Sequence, residues 1–371
     1  MTSPQFTQLP MLPPLDRRAD TWRLEEQCNF ASQLYLQTYF AIAAAMLRDL
    51  GHERTYRIYG AMLSEHQKHF FLPGMAKLGL DKEKNQAAAC AKYHCLSNGL
   101  GGLRTAYAIE SGTKTWLMYF PYTADNPGSG LFALATHPEL MLTEYRGWHG
   151  NNGRYLGNGR MRFVSTHYIS EGDPFVGGYF EDTGRELADD ELVVDRRGEQ
   201  PPPGLEIRSL EDELDANEWP PERRARALRK YAVTWFADRV RSALHHGGEQ
   251  GDGIARRAVQ YSLHTWMARF RAAVGSEELP RAAELAKFIG FFHDIAAIPA
   301  RVEPAAAGWC VNTQKGLVDY VGGAQTDSDR VRFARVIGDA WQSVAQMMEC
   351  SVSVDGRGMH WMIRSGRGIS S

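Results

Sequence analysis

Residues 35–51 read YLQTYFAIAAAMLRDLG, and residues 231–247 read YAVTWFADRVRSALHHG. The identical positions are Tyr35 and Tyr231, Thr38 and Thr234, Phe40 and Phe236, Ala41 and Ala237, and Gly51 and Gly247. Self-similarity at a fixed spacing is the signature of repeated architecture. This pair of stretches therefore predicts that the chain contains the same unit twice.

The similarity continues further along both halves. Residues 87–103 (AAACAKYHCLSNGLGGL) align with residues 282–298 (AAELAKFIGFFHDIAAI). The later matches are Trp116 with Trp309, Trp148 with Trp341, and His167 with His360. Tryptophan is rare here, with 9 in 371 residues, so two tryptophans that keep their spacing weigh more than commoner residues. Any one match could arise by chance, whereas the series favours an internal duplication.

Each half has the same predicted order of secondary structure. A long helix, an amphipathic helix and a helix of small residues come first, and a short strand, another helix and a β-hairpin follow. The predicted ranges are 22–50, 53–78, 82–100, a strand at Trp116, 129–147 and 155–181 in the first half, and 222–246, 252–274, 278–298, a strand at Trp309, 326–348 and 350–364 in the second. The predicted fold class is α+β, with two similar helix-rich modules that each carry a small antiparallel sheet.

Composition sets the predicted boundaries. Residues 1–21 form an extended, proline-rich N-terminal arm, and residues 22–186 form the first module, which carries the predicted site. Residues 187–221 are charged, contain a proline triplet and lack a sustained apolar face, so they predict a linker. Residues 222–371 form the second, degenerate module.

Charge and cysteine content exclude several classes of protein. The formal net charge is −2, so we expect no nucleic-acid partner and no attraction to acidic membranes. The apolar run at 35–47 is too short to span a bilayer, and residues 1–18 lack the pattern of a secretory signal. The 5 cysteines are odd in number and form no CxxC pair, which argues against a disulfide framework and for a cytoplasmic protein. The many aromatic residues would line a pocket or a subunit interface, which leaves a homo-oligomer open.

Residues 148–173 contain the most informative group of polar side chains. They are Trp148, His149, Asn151, Asn152, Arg154, His167, Glu171 and Asp173. Buried polar groups need partners, which a substrate or an ion would supply. His149 is predicted as the proton-transfer group, because an unperturbed imidazole titrates near neutral pH. Asp173 would orient it or act as a partner base, and His167 completes the predicted catalytic set.

The predicted substrate-binding residues surround that set. They are Asn98, Trp148, Asn151, Asn152, Arg154, Tyr155 and Tyr179. The asparagines that follow His149, together with the guanidinium, would bind a carboxylate or a carbonyl group. The aromatic rings would form the apolar walls of the pocket. The substrate would therefore be small, and either polar or aromatic.

The second half lacks this polar equipment. Gln342, Val344, Ala345 and Gly366 stand at or near the positions that match His149, Asn151, Asn152 and Asp173. A duplicated protein commonly keeps one working site, so the site is predicted in the first half. Two structural alternatives stay open. Residues 151–153 suit a simple turn, because asparagine tolerates positive φ. His167 is aligned with His360, and a histidine that both halves share suits a structural role in the core.

A metal site is a further candidate. Glu65, His66 and His69 fall within about one turn of a predicted helix, and the two histidines would hold a divalent metal with ligands from elsewhere. The pattern is not H-E-x-x-H, and exposed polar residues of a helix explain it as well. Whether a divalent metal or haem is bound stays open.

Other catalytic signatures are weak or absent. Cys95 would act as a nucleophile only with a base beside it in space and a lowered thiol pKa, and a buried small residue is the alternative. The glycine-rich stretches at 98–103 and 156–161 lack the dinucleotide fingerprint, and the sequence contains neither a P-loop nor G-x-S-x-G.

Residues 50–182 resemble the L-2-amino-thiazoline-4-carboxylate hydrolase-like family. The shared features are a helical first half, a strand that runs into an x-Pro turn at 119–122, and a late hairpin that reaches Gly172-Asp173-Pro174. Members of that family tend to carry cysteines near both prolines, whereas Phe120 precedes Pro121 here and Phe175 follows Pro174. The resemblance implies hydrolytic opening of a small heterocycle, or a related cleavage of a carbon–nitrogen bond, without a thiolate at these positions.

The leading hypothesis is a small-molecule hydrolase that uses general acid–base chemistry at His149. One alternative is a non-catalytic binding or sensor protein with an aromatic-lined pocket. Another is a metal- or haem-dependent lyase or oxidoreductase. Mutation separates the first two, because loss of His149 and Asp173 would abolish turnover in an enzyme and only change affinity in a carrier.

Overall fold

The computed structural model describes residues 12, 17–121, 137–276, 278–323 and 325–366. Most of the predicted N-terminal arm and the beginning of the predicted helix at 129–147 lie outside these residues. The chain divides into two compact units. Among the described residues, the first unit contains His52–Ala227, and the second combines the residues from 12 to Gly51 with those from Leu228 onward. The α+β class is confirmed, since helices and two small sheets make up both units.

The division differs from the predicted modules at the first helix. The helix Leu24–Lys77 (α1) is broken at Gly51, where φ is 75° and ψ is 174°. Glycine reaches positive φ without the steric cost that a Cβ brings, so the chain changes direction there. The residues before Gly51 belong to the second unit, where Phe30 packs on Trp266 and Phe291 at centroid distances of 4.8 and 5.5 Å.

The first unit contains three longer helices and six strands among its described residues. The helices are the part of α1 after Gly51, α2 (Gln86–Leu100) and α3 (Pro138–Gly147). The strands are β1 (Thr105–Ile109), β2 (Lys114–Tyr119), β3 (Met161–His167), β4 (Val176–Asp182), β5 (Val193–Asp195) and β6 (Arg208–Ser209). Shorter helical turns cover His149–Asn151, Asn152–Tyr155, Ile169–Glu171, Asp189–Glu191 and Leu210–Glu213.

The strands form one six-stranded sheet in the order β5-β3-β4-β2-β1-β6. All neighbouring pairs are antiparallel except β3 and β5. Successive side chains of a strand point to opposite faces of a sheet. Phe180 therefore lies on the face that α2 covers, where it stacks on His94, whereas Tyr179 lies on the other face beside Trp116.

The stretch predicted as a linker, 187–221, is instead part of the first unit. It supplies β5 and β6 at the two edges of the sheet, and Leu205 and Ile207 pack on the apolar cluster around Trp116. Glu199 fixes the stretch to the sheet. Its carboxylate accepts a hydrogen bond from the Tyr179 hydroxyl and forms an ion pair with Lys114, both at 3.0 Å. The high charge that suggested a solvated linker is therefore used in specific pairs.

Among its described residues, the second unit has four longer helices besides the first part of α1. They are α4 (Pro221–His246), which enters this unit at Leu228, α5 (Gly251–Val274), α6 (Arg281–Asp294) and α7 (Asp327–Met347). The strands are β7 (Ala300–Ala305), β8 (Gly308–Thr313), β9 (Cys350–Val354) and β10 (His360–Ser365). They form an antiparallel sheet in the order β7-β8-β10-β9. Trp341 is fully buried in its core, against Phe270 and Phe292.

The two sheets share a strand order. In the first unit the four central strands run β1-β2-β4-β3, and in the second the strands run β7-β8-β10-β9. Each set follows two helices, and a third helix stands between its second and third strand. The four central strands of the first unit and the four strands of the second therefore share an order of pairing, and the longer helices before and between them come in the same order.

Two of the residue matches made from sequence do not occupy equivalent places. Trp116 belongs to the apolar cluster on the face of its sheet opposite α2, whereas Trp309 pairs with Ile363 on the face that α6 covers. His167 ends the third strand of its set, whereas His360 begins the fourth. The second unit has a shorter connection in its last hairpin, so an alignment at constant spacing goes out of register there.

No described helix combines the length and apolarity that crossing a bilayer requires.

Candidate functional site

Two histidines stack against each other inside the first unit. The rings of His94, on α2, and His149, in the turn after α3, have centroids 3.9 Å apart and planes inclined by 10°. Both rings also stack on Phe180 of β4, at 5.7 and 5.8 Å. His94 is 3% exposed and His149 is 9% exposed, so this pair lies between the helices and the covered face of the sheet.

Amide side chains hold His94 in place. Gln67 donates from Nε2 to the backbone oxygen of Trp148 at 2.8 Å and to Oδ1 of Asn152 at 2.7 Å. Nδ2 of Asn152 lies 2.7 Å from Nε2 of His94. Gln67 and Asn152 are almost completely buried, so this chain of hydrogen bonds satisfies polar groups that would otherwise be costly to bury.

A hydroxyl group contacts the second imidazole. The Tyr119 hydroxyl, at the end of β2, lies 3.1 Å from Nε2 of His149. Asn98 donates from Nδ2 to the backbone oxygen of His94 at 2.8 Å and reaches the same hydroxyl at 3.4 Å. Asn98, which was predicted to bind substrate, therefore contacts the backbone of His94 and the hydroxyl that reaches His149.

Two aromatic side chains that meet edge to face here each have a buried polar atom without a partner among the described residues. These atoms are Nδ1 of His149 and the hydroxyl oxygen of Tyr145. The rings of Tyr145 and His149 meet edge to face with centroids 4.8 Å apart. An unpaired buried donor or acceptor costs about 1–3 kcal/mol, so each of these two atoms calls for an explanation.

Burial keeps both imidazoles neutral. It lowers the pKa of His94 to about 3, even though the hydrogen bond with Asn152 acts in the opposite direction. Burial also lowers the pKa of His149 well below its usual value, and the neighbouring His94 lowers it further. A neutral imidazole with so low a pKa is a weak proton acceptor at neutral pH. It serves better as a fixed hydrogen-bonding group.

The structure does not bring the predicted catalytic set together. Asp173 accepts a hydrogen bond from the backbone nitrogen of Tyr168 at 2.7 Å, and nothing in the described part of the chain pairs it with His149. His167 packs on Phe175, with ring centroids 4.1 Å apart, and its Nδ1 lies 2.7 Å from the Thr166 hydroxyl. The reason is that Asp173 caps the turn after β3, which a Gly-Asp-Pro sequence favours.

The predicted binding residues separate in the same way. Asn152 and Trp148 lie at the histidine pair, and Trp148 contacts His66 and His94 with its ring. Asn151 instead donates to the backbone oxygen of Arg146 at 3.1 Å, and Arg154 is exposed and paired with Asp189. Tyr155 packs on Phe71, and Tyr179 lies on the opposite face of the sheet. Adjacent positions in a helical turn point in different directions, so a dense polar sequence does not make one site.

The predicted metal ligands also diverge. His66 is buried against Phe70 and Trp148, whereas His69 is exposed and Glu65 pairs with Lys68. Within the described ranges, no group of three or more histidine, cysteine, aspartate or glutamate side chains is arranged to hold a metal ion. Cys95 is fully buried, and burial raises the pKa of its thiol to about 12, which disfavours the nucleophilic thiolate.

Sequence reasoning missed most of the residues that meet at this place. Gln67, His94, Tyr119 and Tyr145 come from different elements, so no local motif joins them. One local signal exists, since His94 and Asn98 are four residues apart on α2 and share a face of that helix.

Comparisons of this chain with models of protein families, with curated proteins and with solved structures find no match.

Proposed function

We propose that the first unit binds a small molecule beside the stacked histidines, without a chemical step. The observation that carries this proposal is the Nδ1 atom of His149, which is buried and has no partner among the described residues. A ligand that reaches this atom would satisfy it, as bound molecules commonly do for convergent polar groups in apolar sites. The Tyr145 hydroxyl offers a second contact.

The surroundings suit a small, flat ligand. The rings of Phe163 and Phe180 lie 4.8 and 5.8 Å from that of His149, and Tyr145 packs on Phe163 at 4.5 Å. Aromatic walls with a few oriented polar atoms are typical of small-molecule sites. This agrees with the sensor or carrier that the sequence leaves open as an alternative to an enzyme.

Extraction of the purified protein tests the proposal. The full chain would be denatured and the released compounds identified by mass spectrometry. We expect a stoichiometric compound from the natural protein and a loss of at least tenfold from His149→Phe, which keeps a ring but removes both nitrogens. His69→Phe is the matched control at an exposed position. Equal release from all three proteins, or release from none, would contradict the proposal.

Hydrolysis is the second candidate, and one contact favours it. The Tyr119 hydroxyl lies 3.1 Å from Nε2 of His149, and a proton can be relayed between these two groups. Asp173 does not support that pair, since it caps the turn at Tyr168. If the protein is a hydrolase, Tyr119→Phe should lower kcat at least a hundredfold while Asp173→Asn should not. Turnover of 2-aminothiazoline-4-carboxylate by the full chain is the assay, and no detectable turnover removes this candidate.

We also propose that the two units derive from an internal duplication. The shared strand order and the shared succession of helices support it. Trp116 and Trp309 do not occupy equivalent places, and neither do His167 and His360. The support therefore comes from the order of elements and strands and not from these residue matches. A superposition of the two units in a crystal structure tests the proposal, since matching elements should overlay in one rigid fit.

A further inference from the structure

We infer that the Gln342 side chain blocks a strand edge of the second unit that would otherwise pair with a second copy of this chain. The edge is the outer side of β9, which has no neighbouring strand on that side among the described residues. The inference concerns the second unit and goes beyond the proposed binding function, so either can fail without the other.

The backbone bonds at the two ends of β9 show which of its groups face outward. Just before the strand, the backbone oxygen of Glu349 accepts a hydrogen bond from the backbone nitrogen of Gly366 at 2.6 Å. Just after it, the backbone nitrogen of Asp355 donates to the backbone oxygen of His360 at 3.0 Å. Both bonds lie on the side of β10, and the direction of these groups alternates along an antiparallel strand. The N–H and C=O groups of the even-numbered residues of β9 therefore point outward.

Gln342 binds the central one of these outward groups. Its Oε1 accepts a hydrogen bond from the backbone nitrogen of Val352 at 2.7 Å. The helix that carries it, α7, lies close to the strand, since a Cβ at Gly338 would be 2.5 Å from Cγ1 of Val354. Gly338 and Gln342 are four residues apart and share a face of this helix. The amide oxygen therefore stands where the backbone oxygen of an added strand would stand.

The first unit shows that a strand can occupy this position. Its β3 has the same place in the order of strands as β9. There the outward N–H of Phe163 donates to the backbone oxygen of Leu192 at 2.9 Å, and β5 pairs along the edge. Phe163 pairs with Phe180 on the face that α2 covers, as Val352 pairs with Ile363 on the face that α6 covers. A strand takes the edge in one unit, and a side chain takes it in the other.

The sequence of β9 lacks the residues that commonly protect an edge strand. Such edges avoid association through lysine, proline, charged side chains or bulges. The opposite edge of the same sheet, β7, contains Arg301 and Pro304, and proline has no N–H to donate. β9 reads CSVSV, with Ser351 and Ser353 exposed and an unbroken register with β10. Loss of the Gln342 amide would therefore leave an uncharged edge open.

A second copy of this chain fits that open edge. Two β9 strands related by a two-fold axis run antiparallel. With the axis at Val352, each outward N–H of one strand meets an outward C=O of the other. Ser351 of one copy then lies opposite Ser353 of the second copy, and no like charges face each other. The edge is therefore complementary to itself.

Replacement of the amide tests the inference. Gln342→Met keeps the length of the side chain and removes its acceptor, and Gln346→Met makes the same change one turn later at an exposed position. Sedimentation velocity of the full chain between about 5 and 200 µM measures association. We expect the mass of Gln342→Met at the highest concentration to approach twice that of the natural protein. Gln346→Met should match the natural protein.

Two further variants locate the association. Gln342→Glu keeps an acceptor for the N–H of Val352 and should sediment as the natural protein does. Ser353→Lys, added to Gln342→Met, brings like charges together at the paired edge and should restore the natural mass. Hydrogen exchange in residues 349–355 should slow at least tenfold as the concentration of Gln342→Met rises, because pairing protects the outward N–H groups.

The contrary outcomes are equally specific. An equal mass for Gln342→Met and Gln346→Met at every concentration would overturn the inference. Association that Ser353→Lys does not reverse would also overturn it, because the copies would then meet at another surface. If circular dichroism shows that Gln342→Met does not fold, Gln342→Ala removes the same acceptor and the same outcomes decide.

Discussion

Neighbouring residues of the same type have different roles in this protein. Asn151 and Asn152 looked equivalent in the sequence, yet Asn152 is fully buried between Gln67 and His94 while Asn151 only reaches a backbone oxygen at the surface. The sequence predicted a binding site from the residues around His149, and two of them, Trp148 and Asn152, do lie at the histidine pair. It could not predict which ones, because that depends on the direction of each side chain in a short helical turn.

Asn152→Ala tests this difference in role. It leaves the buried Nε2 of His94 without its partner and removes one of the two acceptors of the Gln67 amide, so we expect the free energy of unfolding to fall by about 2–4 kcal/mol. Asn151→Ala removes one partly exposed hydrogen bond and should cost no more than about 0.5 kcal/mol. Urea denaturation followed by circular dichroism measures both values. Equal effects would show that the buried amide chain is not a stabilising feature.

The neutrality of His94 predicts a dependence of stability on pH. Its pKa is about 3 in the folded protein, against an ordinary value of 6.5, so the unfolded chain binds more protons between these values. Stability should therefore be highest above pH 6.5 and fall as the pH decreases toward 3. The contribution of this one residue between pH 7.5 and 5.5 is about 1.4 kcal/mol.

His94→Phe isolates that contribution. The variant is less stable at pH 7.5, because it loses the bond from Asn152, but its stability should decline less on acidification than that of the natural protein. His149 remains in both proteins and also has a lowered pKa, so the decline is reduced and does not vanish. Denaturation midpoints at pH 7.5, 6.5 and 5.5 give the two curves. Parallel curves would mean that His94 is not held neutral by burial.

At the scale of the elements, the sequence predicted the helices well and the sheet incompletely. The helices α2, α5, α6 and α7 fall within a few residues of their predicted ranges, because the apolar periodicity and the capping residues are local. Strands β5 and β6 come from the stretch predicted as a linker, since short edge strands carry almost no periodic signal of their own. The central pairing of β3 with β4 depends on close approach of two backbones at Gly178.

Gly178→Ala should disrupt that pairing. A Cβ at this position would lie 1.8 Å from the backbone oxygen of Val164, which cannot move without breaking the strand pair. We expect a loss of more than about 3 kcal/mol, or no soluble protein. Gly112→Ala is the matched control, because a Cβ there meets nothing within 4 Å. A thermal unfolding midpoint for Gly178→Ala within a few degrees of that of Gly112→Ala would contradict this account of the sheet.

At the scale of the whole molecule, the two units do not coincide with the two halves of the sequence. The alignment placed α1 entirely in the first half, but its residues before Gly51 belong to the second unit. Similarity between segments reports which elements repeat, and it does not report which elements pack together. The break at Gly51 needs only one residue with positive φ. The local sequence therefore does not indicate which unit the part of α1 before Gly51 packs in.

Phe30→Ala distinguishes the two assignments of that helix. Phe30 is 2% exposed and contacts Trp22, Trp266, Phe270 and Phe291. Its truncation should cost about 3–5 kcal/mol, and hydrogen exchange measured by mass spectrometry should rise in residues 251–294. Phe163→Ala removes an equally buried ring in the first unit and should raise exchange in residues 105–182 instead. If Phe30→Ala also acts chiefly on residues 105–182, the helix belongs to the first module, as the sequence alone suggested.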